Sequence, residues 1–419
     1  MANLITKFWA QARRHPVILT LGMIALLAEL GYATLNQSGL PPYVDKELHL
    51  GAGWLGWIMA TFLLVESLAR PGLGALGDRI GRRPLLVAGP IASCAAALLM
   101  MRAVHPGSIL ALRVLDGLGA AAIWPTAFAL VGDSVDEENR STAMSVLNVT
   151  YMAGIALGPL LGGIIADRTG TQHYVFLAVG IIFALTFVVA LLRLPKRESH
   201  HEHGPDCPDH QAEYHLSDLL FSLKAIPHML AMVFFAFLAI GLLIPIVKLY
   251  ATQELKLSET GFGTMLLPVA AILAVLAVPM GRLGDTWGKT KAVRTGISLT
   301  ALAMWMMASL KMVPSLIIAG SLLGIGFLMA MPSWLALISE LTSSNNRGQV
   351  LGAVGMAQGL GAILGAVLGG HLYDLTHSFC GIEAHSAPLF LSAALLTVSA
   401  ALAFVFLRSA KQVEGKQVE

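Results

Sequence analysis

Residues 74–83 read Gly74-Ala-Leu-Gly-Asp-Arg-Ile-Gly-Arg-Arg83, and they close an apolar run that begins near residue 52. A weaker copy, Gly281 to Lys289, closes a second apolar run 207 residues later. The same offset holds along the chain. Gly74, Asp78 and Gly81 map onto Gly281, Asp285 and Gly288; Gly117, Gly119 and Pro125 map onto Gly324, Gly326 and Pro332; Arg140 maps onto Arg347. Gly154, Gly158, Gly162, Gly163 and Asp167 map onto Gly361, Gly365, Gly369, Gly370 and Asp374. One spacing without a gap describes two halves of like topology.

The composition says where those halves live. Of 419 residues, 56% are hydrophobic and 12% charged, and the mean hydropathy is +0.72. A soluble chain carries about 25% charged residues, so a soluble enzyme and a disordered chain are excluded. A formal net charge of +2 leaves no basic excess to collect nucleic-acid phosphates. A bilayer core of about 30 Å needs roughly 20 apolar residues per helix. Twelve stretches qualify, near 16–39, 52–76, 84–104, 107–132, 142–166, 174–195, 228–250, 259–283, 291–312, 315–339, 349–371 and 387–407. The expected fold is an all-α membrane protein of two parallel six-helix bundles, 1–195 and 228–419, joined by a polar linker, 196–227. Six is even, so both halves insert in the same direction, a known transporter plan.

Lys and Arg set the orientation. With the N-terminus inside, nineteen fall on inner segments against six on outer ones. Both termini are therefore expected in the cytoplasm of a cell with an inner membrane. The first apolar run is expected to be an uncleaved span, since it lacks a small-residue cleavage site. Cys94 falls in a span, Cys207 inside and Cys380 outside, which argues against a structural disulfide. No Gly-x-x-x-x-Gly-Lys-Ser/Thr phosphate loop occurs. No cofactor is expected.

The loop 74–83 resembles the cytoplasmic signature of the major facilitator superfamily. The fourth span holds Arg113-Val-Leu-Asp116-Gly117-Leu-Gly119, similar to that family's Arg-x-x-Gln-Gly-x-Gly motif with Asp in place of Gln. The fifth holds Gly154-Ile-Ala-Leu-Gly158-Pro159-Leu-Leu-Gly162-Gly163, similar to the antiporter signature of the family's drug/proton exporters. The resemblance implies a twelve-helix, proton-coupled exporter working by alternating access. It implies that the loop formed by Gly74, Asp78, Arg79, Gly81 and Arg82, with its copy at Gly281, Asp285 and Gly288, latches the cytoplasmic side. Asp78 would then act at the start of the eleventh helix, near Gly348. Plain inner-face anchoring by Arg79, Arg82 and Arg83 is the alternative. Gly74 and Gly77 would let a helix approach closely, and Gly81 permits a tight turn.

In the fifth span, Gly158-Pro159 is expected to bend the helix. Gly154, Gly158 and Gly162 form one smooth face, expected to pack on another helix, with the glycine-bearing span 349–371 as the candidate. A gating role and ordinary small-residue packing both fit.

Ionisable groups within a span default to functional hypotheses. At about 1.5 Å per residue, Glu66 and Glu29 lie roughly 18 and 20 Å from the inner face and Asp116 roughly 14 Å from the outer one, so all three reach the midplane. Their repeat mates are apolar: Glu29, Glu66, Arg70, Arg113 and Asp116 map to Ala236, Leu273, Ala277, Gly320 and Leu323. Glu66 and Arg70 (i, i+4) and Arg113 and Asp116 (i, i+3) can pair on their own helices. Glu29 has no such partner, and a carboxyl without a counter-ion in low dielectric suits proton carriage. Glu29 and Asp116 are the expected proton-titrating groups, with Arg113 switching between them and Glu66–Arg70 as third choice.

Tyr32, Asn36, Trp124, Asn148, Tyr151, Trp334, Met356 and Gln358 offer aromatic, amide and thioether surface for a substrate. Lys248 could attract an anion, although such a lysine more often snorkels to headgroups. The linker carries His200, His201, His203, Cys207 and His210, weak candidate metal ligands, and 216–226 resembles an amphipathic surface helix. The expected partners are lipid, protons and a small molecule, with the chain acting as a monomer. The leading expectation is proton-driven export of small amphipathic compounds. A metal or metal-chelate transporter with the His tract as collector, and a non-transporting membrane sensor, are the alternatives.

Overall fold

The computed structural model describes residues 16–134, 137–194, 227–341, 347–375 and 384–407. All regular structure there is helical. In the first half, α1 is Pro16–Thr34, extended by π-helical turns at Leu35–Gly39 and Tyr43–Glu47. Next come α2 (Ala52–Ile80), α3 (Arg82–Met100), α4 (Pro106–Ser134), α5 (Glu137–Thr169) and α6 (His173–Arg193). In the second half, α7 is Pro227–Leu243, followed by Ile246–Leu249 and a π-helical turn at Tyr250–Glu254. Then come α8 (Glu259–Gly281), α9 (Lys289–Ser309), α10 (Val313–Leu341), α11 (Arg347–Tyr373) and α12 (Ala387–Phe406).

Ten helices among the described residues are long and apolar enough to cross a membrane, eleven if the bent pair His228–Leu243 and Ile246–Glu254 is one span. The expectation of twelve apolar spans differs at α9. It is a 21-residue helix where the ninth was expected, but Lys289, Lys291 and Arg294 crowd its first turns. Pro71, Pro90, Pro125, Pro159 and Pro332 all lie inside helices. Spans tolerate them because neighbouring groups satisfy the freed carbonyls. Apolar side chains such as Leu68, Leu192, Val275 and Leu302 are exposed, as a chain built for a bilayer permits.

The 207-residue repeat extends to backbone detail. The π-helical turn Tyr43–Glu47 recurs at Tyr250–Glu254. The positive-φ residues His49 (52°) and Lys256 (55°) are repeat mates, as are Gly81 (89°) and Gly288 (96°). At Gly81 and Gly288 only glycine takes this conformation without strain, so both turns form as the sequence requires.

The chain divides into two compact units, Met1–Pro208 with Ala251–Leu267, and Asp209–Tyr250 with Pro268–Glu419. In the first, α1 packs on α5 and α6, α3 on α4 and α6, and α2 on α4. In the second, α7 packs on α11 and α12, and α9 on α10 and α12. The partnerships of α1 and α3 recur in α7 and α9.

The glycine face of α5 does not pack where the sequence suggested. A Cβ on Gly154 would come within 2.7 Å of Glu29 Cβ, on Gly158 within 2.5 Å of Ala33 Cβ, and on Gly162 within 2.4 Å of Ser38 Cβ. The partner is α1, in the same unit. Thr34 Oγ1 donates to Gly158 O (3.1 Å) and Ser38 Oγ to Pro159 O (3.0 Å), tying the two backbones together. The glycines of α11 instead meet α7, with Gly361, Gly365 and Gly369 against the carbonyls of Phe234, Leu238 and Leu242. Each stripe serves its own unit because close backbone approach is a requirement of each helix pair. Lys248 also departs from expectation: it is 1% exposed and engaged by neighbours rather than snorkelled outward.

Candidate functional site

The site begins with a guanidinium that has nowhere to go but inward. Arg113 and Asp116 lie one turn apart on α4, and both side chains are fully buried. Arg113 Nη1 donates to Asp116 Oδ2 at 2.6 Å. Its Nη2 donates to Asn36 Oδ1 on α1 at 2.8 Å, and its Nε to Ile58 O on α2 at 3.4 Å. The Phe62 ring lies 4.2 Å from its central carbon. A buried charge is tolerated only when paired and hydrogen bonded, and three helices share that task here. Asp116 Oδ1 is buried with no hydrogen-bond partner among the described residues.

Beside this cluster is a cavity of about 800 Å³ in the first unit. Its walls are Glu29, Tyr32 and Asn36 from α1, Phe62, Glu66 and Arg70 from α2, Trp124 and Phe128 from α4, and Asn148 and Tyr151 from α5. Glu66 Oε1 accepts from Arg70 Nη2 at 2.6 Å, the pairing that their spacing predicts. Glu29 has no hydrogen bond or ion pair among the described residues. Tyr151 meets Trp124 edge-on with ring centroids 4.9 Å apart. The cavity therefore presents one unpaired carboxylate, one self-paired carboxylate and five aromatic rings. Such a wall suits an amphipathic molecule, and aromatic faces next to an acid suit a cation.

A second, smaller cavity of about 60 Å³ lies in the second unit. Trp334 and Gln358 line it, among apolar side chains that include Met331, Phe237 and Ile297. The Trp334 indole N–H is buried without a hydrogen-bond partner among the described residues. Gln358 Nε2 reaches Met331 Sδ at 3.9 Å.

Of the residues picked from sequence, Tyr32, Asn36, Trp124, Asn148 and Tyr151 come together around the first cavity, and Trp334 and Gln358 around the second. Met356 is half-exposed and lines neither. Sequence reasoning missed Phe62, Phe128 and Ser93. Phe62 stands one turn before Glu66 on the same helix face, a usable signal. Ser93 and Thr300 are hydroxyl residues at the repeat offset, but a hydroxyl in an apolar helix carries no signal of its own. Tyr32 Oη and Ser93 Oγ are 2.8 Å apart.

The loop residues are placed as follows. Asp78 is 71% exposed and its carboxylate lies 3.5 Å from Arg82. Gly77 would bring a Cβ within 3.0 Å of Leu85, whereas one on Gly74 or Gly281 would meet nothing within 4 Å among the described residues. Among the described residues the close approach is seen at Gly77 and not at Gly74. Asp285 is exposed in the short helix Leu283–Trp287, and Lys289 Nζ pairs with Glu340. The His-rich candidates His200, His201, His203, Cys207 and His210, and the segment 216–226, lie outside the described residues. Among the described residues no three metal-ligating side chains cluster.

Comparison with known proteins agrees with this architecture. The sequence profile of the Major Facilitator Superfamily matches residues 21–221 and 229–419. Multidrug resistance protein 2 of Bacillus subtilis is 25% identical over 364 residues, which is 84% of this chain and 88% of that one. Multidrug resistance protein MdtG of Escherichia fergusonii is 27% identical over 327 residues, 75% of this chain and 76% of that one. Among solved structures, the nucleoside transporter NupG matches with a TM-score of 0.76 at 13% identity, covering 93% of this chain and all of that one. A bacterial homologue of the human lysosomal transporter Spinster, inward-facing and unoccupied, matches with a TM-score of 0.74 at 16% identity, covering 94% and 96%. At these identities the structural likeness concerns the fold.

Proposed function

The chain belongs to the Major Facilitator Superfamily and is a membrane transporter rather than an enzyme; on that premise, we propose that it exports small amphipathic compounds in exchange for protons. The observation that carries this reading is Glu29 in the aromatic cavity without a counter-ion among the described residues. A carboxylate in that position requires neutralisation, because an unpaired charge in low dielectric is costly. A proton and a cationic substrate are alternative ways to supply it. If only one can occupy the carboxylate at a time, each displaces the other, and that is exchange. The aromatic rings would hold the apolar body of the substrate while Glu29 holds its positive end. Asp116 would be the second titrating group, with Arg113 held by Asn36 and Phe62 whenever Asp116 is neutral.

The multidrug names of the relatives support export and a broad substrate range. Small residues of the 74–83 loop and of α5 would serve the change of state. Both termini would face the cytoplasm across an inner membrane.

The test is substrate-evoked proton movement in sealed proteoliposomes with an internal pH dye. Adding tetraphenylphosphonium to wild type should drive protons across the membrane, and Glu29→Gln should reduce the response at least tenfold. Silence with lipophilic cations, tetracyclines and divalent metals alike would sink the reading. A response to metals alone would favour a metal transporter.

A further inference from the structure

Asp116 is fully buried, 0% exposed, and does not line the cavity. Any proton that reaches it must cross protein. Between it and the cavity stand two hydroxyls on two other helices. Tyr32, on α1, lines the cavity and is itself buried. Its hydroxyl is 2.8 Å from Ser93 Oγ on α3, and either oxygen can be the donor in that pair. Ser93 is fully buried, and its hydroxyl faces α4 at Gly119, one turn along from Asp116. Asp116 Oδ1 is the oxygen left without a hydrogen-bond partner among the described residues, while Oδ2 is taken by Arg113.

We propose that Tyr32 and Ser93 form a hydroxyl relay that carries protons between the cavity and Asp116. It rests on the proton-coupled reading and deepens it by naming the path. A donor in the cavity, either hydronium or protonated Glu29, gives its proton to Tyr32 Oη. The Tyr32 hydrogen passes to Ser93 Oγ, and the Ser93 hydrogen passes to Asp116 Oδ1. Three bonds to hydrogen break and three O–H bonds form. No electron changes hands, and one proton moves in total. Both hydroxyls then rotate back before the next transfer.

The surroundings allow this. Gly119 on α4 faces Ser93, and a Cβ there would come within 2.4 Å of Ser93 Oγ. Its absence leaves the hydroxyl room to turn. The Tyr32 ring is held between Phe62 at 5.9 Å and Phe183 at 4.8 Å, so its hydroxyl stays in place while its hydrogen reorients. The charged groups that act on Asp116 are Arg113 on its own helix and Glu66 on α2; Tyr32 and Ser93 reach in from α1 and α3. When Asp116 is neutralised, Arg113 keeps Asn36, Ile58 O and the Phe62 face. These contacts lower, without removing, the cost of the unpaired guanidinium.

Tetraphenylphosphonium-evoked proton flux in proteoliposomes of the full chain tests this, with Ser93→Ala, Ser93→Thr and Tyr32→Phe beside wild type. Ser93→Ala should lower the flux at least tenfold while equilibrium binding of the cation and proton-independent exchange of labelled cation stay within twofold of wild type. A structural role alone would not separate those readouts. Ser93→Thr should restore the flux; Thr300 already occupies the repeat position against Gly326 with the same 2.4 Å approach, so the bulk is compatible with the fold. Tyr32→Phe should lower the flux to the same degree, and it decides the matter if Ser93→Ala does not fold. Wild-type flux in either hydroxyl-less variant overturns the relay and leaves proton coupling standing. A silent wild type overturns both.

Discussion

Ser93 and Thr300 are the same position twice, and they have been put to different uses. Each sits on the third helix of its unit, and each faces a glycine, Gly119 or Gly326, whose Cβ would lie 2.4 Å from the hydroxyl oxygen. Thr300 Oγ1 turns back to Gly296 O on its own helix at 2.9 Å, the local bond a spanning helix offers by default. Ser93 turns outward to Tyr32. The difference lies in what stands opposite. Tyr32, Arg113 and Asp116 in the first unit are Ala239, Gly320 and Leu323 in the second. A duplicated backbone therefore imposes packing on both copies and chemistry on neither. Helix partnerships, π-helical turns and positive-φ positions recur, while polar interiors are written by a few substitutions in one copy.

The largest expected effect comes from erasing that difference at its centre. Arg113→Ala leaves Asp116 buried without its counter-charge, and breaking a buried pair this way costs about 3–5 kcal/mol. Thermal unfolding in detergent should show a large drop, with transport lost. Gly320→Ala, at the repeat mate, places a Cβ 3.6 Å from Val269, which is ordinary contact. It should change stability by no more than about 1 kcal/mol, and in the favourable direction, because glycine is a poor helix former. Equal effects at the two positions would break the contrast between the charged and the apolar interior.

A sharper comparison uses the glycine stripes. Gly158→Ala drives a Cβ to 2.5 Å from Ala33 Cβ, and Gly365→Ala drives one to 2.3 Å from Leu238 O. Overpacking of this kind costs about 1–3 kcal/mol, and both unfolding transitions should fall by similar amounts. Transport should not fall alike. If α5 also gates, Gly158→Ala should lose several-fold more flux than Gly365→Ala at a temperature where both remain folded. Matched losses would reduce the α5 signature to packing.

Much of this was legible in the sequence, for identifiable reasons. The offset of 207 residues revealed the duplication because glycine, proline and aspartate at helix contacts and turns resist replacement physically. The i, i+4 and i, i+3 spacings predicted Glu66–Arg70 and Arg113–Asp116, since helix geometry alone brings such residues together. Helix partners were not legible. The stripe Gly154, Gly158 and Gly162 announces close approach but does not say to what, and the guess of span 349–371 failed because both spans carry the same signal. Ser93 was invisible for the same reason as Thr300. A hydroxyl in an apolar helix reads as self-satisfied until a partner such as Tyr32 is seen facing it. Met356 and the rings of Phe62 and Phe128 show the converse limit, because residue type predicts affinity for a cavity but not which helix face meets it.

The smallest expected effect is the most diagnostic of how the two π-helical turns are tied. Lys46 and Gln253 are repeat mates on the two π-helical turns. Lys46 Nζ reaches Glu259 Oε1 at 2.7 Å, and Gln253 Nε2 donates to Asp45 Oδ2 at 2.8 Å. Lys46 is 52% exposed, whereas Glu259 is 7% exposed and stands in the first turn of α8, where the helix dipole favours a carboxylate with or without a lysine. Lys46→Ala should therefore cost only about 0.2–1 kcal/mol. The two losses are told apart by salt rather than by size. Raising the ionic strength screens an exposed ion pair within a Debye length of about 10 Å at 0.1 M. The Lys46→Ala penalty should shrink as salt rises, while that of Gln253→Ala, a hydrogen bond with a neutral donor, should change far less. Parallel salt curves for the two variants would mean that Lys46 acts through packing of its alkyl chain, and the polar contrast between the turns would vanish.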